Sequence, residues 1–179
     1  MDSALVLLIL QGFLGASDTL YYHEFRLRLP STLSAAKELK LHAARDFLYA
    51  AIFGSLAWTS WNGWLSWGLM AILMAEVVIT VWDFLEEDRS RKLPPGERSM
   101  HAIMGIVYGA FVATLLPEIL RWAQLPTGFG RYDYGWLSWL LSAMALGVFV
   151  SGLRDFGAAF ARANGKRMVH MESISSGRN

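Results

Sequence analysis

Three long stretches of this chain carry no charged side chain: residues 47–75, 102–117 and 134–153. A helix on a water-facing surface needs a polar side, and soluble domains seldom leave so much sequence without one. About twenty apolar residues cross the hydrocarbon core of a bilayer, so these stretches have the right length to span it. The chain therefore reads as an all-α, polytopic membrane protein. Composition agrees, with 54% of residues hydrophobic and 17% charged, against about 25% charged in soluble domains.

The pattern predicts a bundle of five transmembrane helices near residues 4–22, 43–61, 64–85, 99–122 and 134–160. The start Met1-Asp2-Ser3 lacks the basic segment of a signal peptide, so the first span reads as an uncleaved anchor although Gly15-Ala16-Ser17 resembles a cleavage site. Asn62-Gly63 is a strong turn signal and divides the longest uncharged stretch into a tight hairpin. Pro94-Pro95 suits the first turn of the fourth helix, and Ser31 and Ser34 are candidate N-caps for the helix leading into span two. Gly105-x-x-x-Gly109, followed by Ala113, suggests a small-residue stripe for packing within the bundle rather than for dimerisation. Residues 1–163 form one transmembrane domain, and 164–179 read as a polar, mobile cytoplasmic tail.

Orientation follows from two independent signals. Fourteen of the sixteen Lys and Arg residues fall after spans one, three and five, leaving only Arg121 and Arg131 on the other side. The positive-inside rule places those basic segments in the cytoplasm, giving N-out and C-in. Seven tryptophans, Trp58, Trp61, Trp64, Trp67, Trp122, Trp136 and Trp139, gather at the opposite boundary as an aromatic belt. The expected location is a bacterial cytoplasmic (inner) membrane, with the lipid bilayer and membrane-protein subunits as partners. A net charge of +1 argues against nucleic acid, and the absence of Cys excludes disulfides, thiolate metal sites and thiol catalysis.

Ionisable side chains within spans call for a reason, because insertion costs about 2.5–3.5 kcal/mol for an Asp, Lys or Arg near a helix centre. Here they collect at the cytoplasmic ends of four spans: Asp18, His23 and Glu24; His42 and Asp46; Glu76, Asp83 and Glu87; Glu97 and His101. His42 with Asp46, Asp83 with Glu87, and Glu97 with His101 are each four residues apart and share a helical face. Glu76, Thr80, Asp83 and Glu87 form one stripe down span three, while Tyr49 and Tyr108 extend the faces of His42 and His101. The candidate metal ligands are His23, His42, Asp46, Glu76, Asp83, Glu87, Glu97 and His101, with Asp18, Glu24, Tyr49 and Tyr108 in supporting positions. In outline this resembles the di-iron carboxylate bundles. Their Glu-x-x-His motif is missing, so no residue role is carried over.

Oxygen and nitrogen ligands without thiolate suit iron, manganese or zinc. That points to a metal-dependent oxidoreductase acting on a lipid-like substrate that arrives sideways from the inner leaflet. The competing reading is a non-enzymatic accessory or scaffold subunit of a larger membrane complex. In that reading much of the acidic and basic sequence at 83–98 is an ion-pair network, and Arg45 neutralises Asp46 or Glu24. A proton or ion conductor, or a haem protein ligated by His42 and His101, is a third reading. Arg154 with Asp155, and Glu118 with Arg121, read as plain ion pairs, and His170 as incidental.

Orientation is directly testable. Reporter fusions within residues 31–40 and after Asn164 are expected to report the cytoplasm, and a fusion at Asn62 the outside. An external signal from the 31–40 fusion would overturn the five-span topology.

Overall fold

A computed structural model describes residues 1–26, 36–90, 92 and 94–176, with side chains described at these positions except 23–26, 36, 38, 90 and 162–176. Five α-helices account for most of it: α1 (Asp2–Asp18), α2 (Ala36–Trp58), α3 (Leu65–Ser90), α4 (Pro95–Trp122) and α5 (Trp136–Ser176). A π-helical segment, Thr19–Arg26, continues α1. Four helical segments are long and apolar enough to cross a membrane: Asp2–Tyr22, Leu65–Arg89, Pro95–Trp122 and Trp136–Ala161. Large apolar side chains such as Val78, Ile106 and Leu146 stay more than half exposed along them. Such an apolar surface suits a lipid solvent.

α2 stands apart for a physical reason. Its first half carries Lys37, Lys40, Arg45 and Asp46, yet α2 is the central helix, packed most extensively on α5 and next on α3. Arg45 and Asp46 are therefore covered by neighbouring helices, while Lys37 and Lys40 near its start stay exposed. The second span expected from sequence, residues 43–61, corresponds to this helix of 23 residues, which is not among the four apolar enough to cross a membrane.

α1 lies along α4 in the opposite direction. At one end the Met1 amine is 3.4 Å from Glu118 Oε1, and at the other His101 Nε2 is 3.4 Å from Asp18 Oδ2. Glu118 also accepts from Arg121 Nε at 3.0 Å, the pair read from sequence. The core between the helices is filled by Leu5, Leu8, Phe53, Leu69, Phe111 and Trp122, none more than 1% exposed.

Several details differ from the sequence reading. Residues Thr59–Asn62 form β1, which pairs antiparallel with β2 (Gly128–Arg131), joining Thr59 to Arg131 and Asn62 to Gly128. These four-residue strands lie within turn-like sequence too short to show an alternating pattern. Of the expected aromatic belt, Trp64, Trp67, Trp136 and Trp139 are exposed, whereas Trp122 is fully buried. Trp58 is partly buried and donates its indole N–H to Ser142 Oγ at 2.8 Å. Gly105, Gly109 and Ala113 face outward, and a Cβ added at either glycine would meet nothing within 4 Å. The stripe therefore does not pack inside the bundle; Met104, Tyr108 and Phe111 take the inward face of α4. α5 runs on as helix through the polar segment after Asn164 to Ser176, where a mobile tail was expected. The N-cap positions Ser31 and Ser34 lie outside the described residues.

The Asn62-Gly63 turn is present. Gly63 has φ +60°, and its N–H donates to the Trp122 carbonyl at 2.8 Å. An added Cβ would stand 2.6 Å from Thr127 Cα, whereas at Gly135, with φ +61°, it would meet nothing. A left-handed backbone costs a non-glycine residue about 1–2 kcal/mol. Gly135→Ala is expected to lower stability by about that much, and Gly63→Ala by clearly more because it adds an overlap with backbone. Thermal melting of both variants in detergent checks the order; equal shifts would show that Thr127 does not constrain the turn.

Candidate metal centre

The charged end of the bundle gathers ionisable side chains from four helices. α3 supplies the spine, because positions 76, 80, 83 and 87 recur on one helical face. Glu76, Asp83 and Glu87 are all at most 1% exposed. The inward stripe expected from sequence is therefore present.

Asp83 faces α2. Its Oδ2 accepts from Arg45 at 2.7 Å and lies 3.1 Å from His42 Nε2. Glu87 stands one turn further along. Its Oε1 is 3.6 Å from the same His42 nitrogen, and its Oε2 is 3.4 Å from His101 Nδ1 on α4. The other nitrogen of His101 faces Asp18 on α1. Phe84 stacks on His101 with ring centroids 4.4 Å apart and planes 5° from parallel, fixing the imidazole plane. Burial orders these groups tightly, since a polar side chain removed from water must find a partner.

Two sets of three buried residues could each hold a metal ion: His42, Asp83 and Glu87, and Glu87, Glu97 and His101. Within each set the ligand atoms lie within 4.8 Å of one another. Metal–ligand bonds of about 2.0–2.2 Å place opposed ligand atoms about 4.4 Å apart, so small rotations would close either set around a cation. Glu87 belongs to both, turning one oxygen to each imidazole.

The other expected ligands are placed elsewhere. Asp46 shares a face with His42 by spacing but packs toward α5, bonding Ser151 and approaching Gly152 closely. The i,i+4 relation fixes a common face, and α5 rather than α3 happens to cover the Asp46 end of it. Glu76 also lies outside both sets. Its Oε1 accepts from Thr80 at 2.6 Å and the Tyr49 hydroxyl reaches its carboxyl, while Tyr108, also near it, donates its hydroxyl to the Leu73 carbonyl at 3.2 Å. Gln11 Nε2 in turn donates to Tyr49 at 3.1 Å. The side chains of His23 and Glu24 are outside the described ones, as is His170. Arg45 bonds Asp83 directly; of the partners suggested by sequence, Asp46 also lies within its electrostatic reach, and the Glu24 side chain is outside the described ones. The Arg45 guanidinium also lies near enough to Glu76 to act on it electrostatically, although no base was expected at that depth.

Part of the acidic sequence does form the simple ion pairs anticipated. Arg98 lies 3.4 Å from Asp88, both well exposed, Lys37 pairs with Glu86, and Arg154 bonds Asp155 at 2.9 Å. Phe84 and Gln11 were missed by sequence reasoning. Gln11 had a signal, as the one polar side chain among residues 4–16.

A cavity of about 480 Å³ opens between α1, α2 and α5, with Arg45 and Tyr49 in its wall. It thus adjoins the pair that holds Asp83. Comparison with known proteins finds no matching family model, no matching curated protein and no matching solved structure.

Glu76 separates a structural role from a metal-binding one. With hydroxyl partners at Thr80 and Tyr49 and no share in either set, Glu76→Gln is expected to change stability by no more than about 0.6 kcal/mol, the average for a hydrogen bond in a membrane interior. Metal content should be unchanged. Melting and metal analysis of the purified variant check both; a loss of metal would make Glu76 a ligand.

Proposed function

We propose that this chain is a membrane-embedded metal protein whose centre lies at the charged, cytoplasmic end of a five-span bundle. The observation that carries the reading is Glu87: buried completely, it presents one carboxylate oxygen to His42 and the other to His101. A carboxylate so placed is suited to bridge two cations, and two-metal sites hold their ions about 3.5–4 Å apart. His42 and Asp83 would complete one position, Glu97 and His101 the other, with Asp18 supporting His101. The donors are all oxygen and nitrogen, which suits iron, manganese or zinc.

The reaction class follows from the surroundings of the site. An apolar cavity within the membrane-facing helices borders the Arg45–Asp83 pair, so the substrate is lipid-like and reaches the site sideways. Metals with such ligands commonly support oxidation chemistry, and we assign the protein as a metal-dependent oxidoreductase. The bacterial inner membrane is its proposed location.

One observation favours a second reading. Arg45 lies 2.7 Å from Asp83 and already supplies a positive charge to that carboxylate, as it would in a structural ion-pair network. The chain would then be an accessory or scaffold subunit. Metal analysis separates the two. The metal reading expects about two metal ions per chain, both lost in Glu87→Gln. His42→Ala and His101→Ala should each lose one. Iron or manganese supports the oxidoreductase assignment, whereas zinc alone would withdraw it. Protein purified without metal, and refusing added metal, would leave the accessory subunit as the reading.

A further inference from the structure

The cavity between α1, α2 and α5 has features of a binding site in its own right. Along α1 it extends from Gln11 to Leu20, and along α5 from Met144 to Arg154. At 1.5 Å per helical residue these stretches measure about 14–15 Å. That is half of a hydrocarbon core about 30 Å thick, the depth of one leaflet. Its volume of about 480 Å³ lies within the roughly 300–1,000 Å³ of small-ligand sites.

The lining is graded along this length. Towards the middle of the bundle it consists of groups such as Gly12, Phe53 and Met144, and towards the charged end it meets Arg45, Ser151 and Arg154. Arg154 remains 40% exposed while bonding Asp155. Arg45 Nε, buried, has no hydrogen-bond partner among the described residues. The charged end therefore offers guanidinium and hydroxyl donors, and the deep end offers apolar surface.

Two glycines keep the space open. Gly15 and Gly147 both line the cavity, and a Cβ at either would meet nothing within 4 Å. Glycine in a helix interior is less stable than alanine by roughly 0.5–1 kcal/mol. In membrane bundles it is usually found where another helix presses close. At these two positions no atom presses close, so packing does not account for them. Gly105 and Gly109 are equally uncrowded but face outward, whereas Gly15 and Gly147 border the cavity and leave its walls without side chains.

We propose that this cavity binds one long-chain fatty acid, its tail lying between Gly15 and Gly147 and its carboxylate meeting Arg45 and Arg154. The dimensions admit a single acyl chain, and the donors at the charged end complement a carboxylate. Binding itself stands independently of the metal centre. That the fatty acid is the substrate rests on the metal reading above.

The test uses the full-length purified protein and oleate, with oleyl alcohol and phosphatidylglycerol as comparison ligands, measured by displacement of a fluorescent fatty acid. Oleate should bind at least about tenfold more tightly than oleyl alcohol, a difference of 1.4 kcal/mol, and phosphatidylglycerol should not displace it. Gly147→Leu, whose Cβ meets nothing within 4 Å and whose side chain takes up cavity space, should weaken oleate about tenfold or more. Gly15→Leu does the same from the opposite wall and serves if the first variant fails to fold. Arg154→Gln should weaken oleate and leave oleyl alcohol unchanged. Equal binding of acid and alcohol, displacement by phosphatidylglycerol, or indifference to both leucine substitutions would overturn the proposal. His42→Ala separates the two claims: it should lose metal and still bind oleate. Oleate binding by a protein that never holds metal would defeat the metal reading alone.

Discussion

Arg45 and Asp83 meet at 2.7 Å inside a bundle whose outer surface is apolar. Taking two charges out of water costs several kcal/mol each unless geometry and further hydrogen bonds compensate. Their position sets conditions for everything around them. α2 must be central, because a helix carrying Arg45 cannot turn that face to lipid. α3 must present its acidic stripe to α2, and the imidazole of His42 is drawn to the same carboxylate. Glu87 and His101 carry the polar contacts onward to α4, and Asp18 carries them to α1. The apolar bundle thus has a polar core at one end that only helix-to-helix complementarity can hold.

How far this was readable from sequence depended on which relation each feature needed. Faces of single helices were legible, since the spacing of Glu76, Thr80, Asp83 and Glu87, or of Glu97 and His101, depends only on the helical period. Choice of partner was not. Asp46 obeyed the same spacing as His42, yet α5 covered it, and Arg45 went to Asp83 because α3 lay on its side of α2. The outward-facing Gly105 and Gly109 failed for the same reason: a small-residue stripe says a neighbour could approach, not that one does. Strands of four residues left no periodic trace, while the Asn62-Gly63 turn was legible because its left-handed backbone at Gly63 has a local residue signature.

The metal and fatty-acid readings occupy adjoining space but use different chemistry. The first depends on side chains that can surrender protons and surround a cation. The second depends on an absence of side chains, at Gly15 and Gly147, beside donors that suit an anion. Arg45 belongs to both neighbourhoods, bonded to Asp83 on one side and bordering the cavity on the other. A change at Arg45 would therefore register in both places, which makes it the point where occupancy of the cavity and the state of the centre could be coupled.

The small β1–β2 sheet has a consequence for how the chain is made. Its strands join Thr59 to Arg131, with the whole of α3 and α4 between them. The sheet cannot close until both helices have been synthesised and laid side by side. The ribbon therefore ties the turn between α2 and α3 to the connection between α4 and α5, a contact that can form only once all four helices are in place.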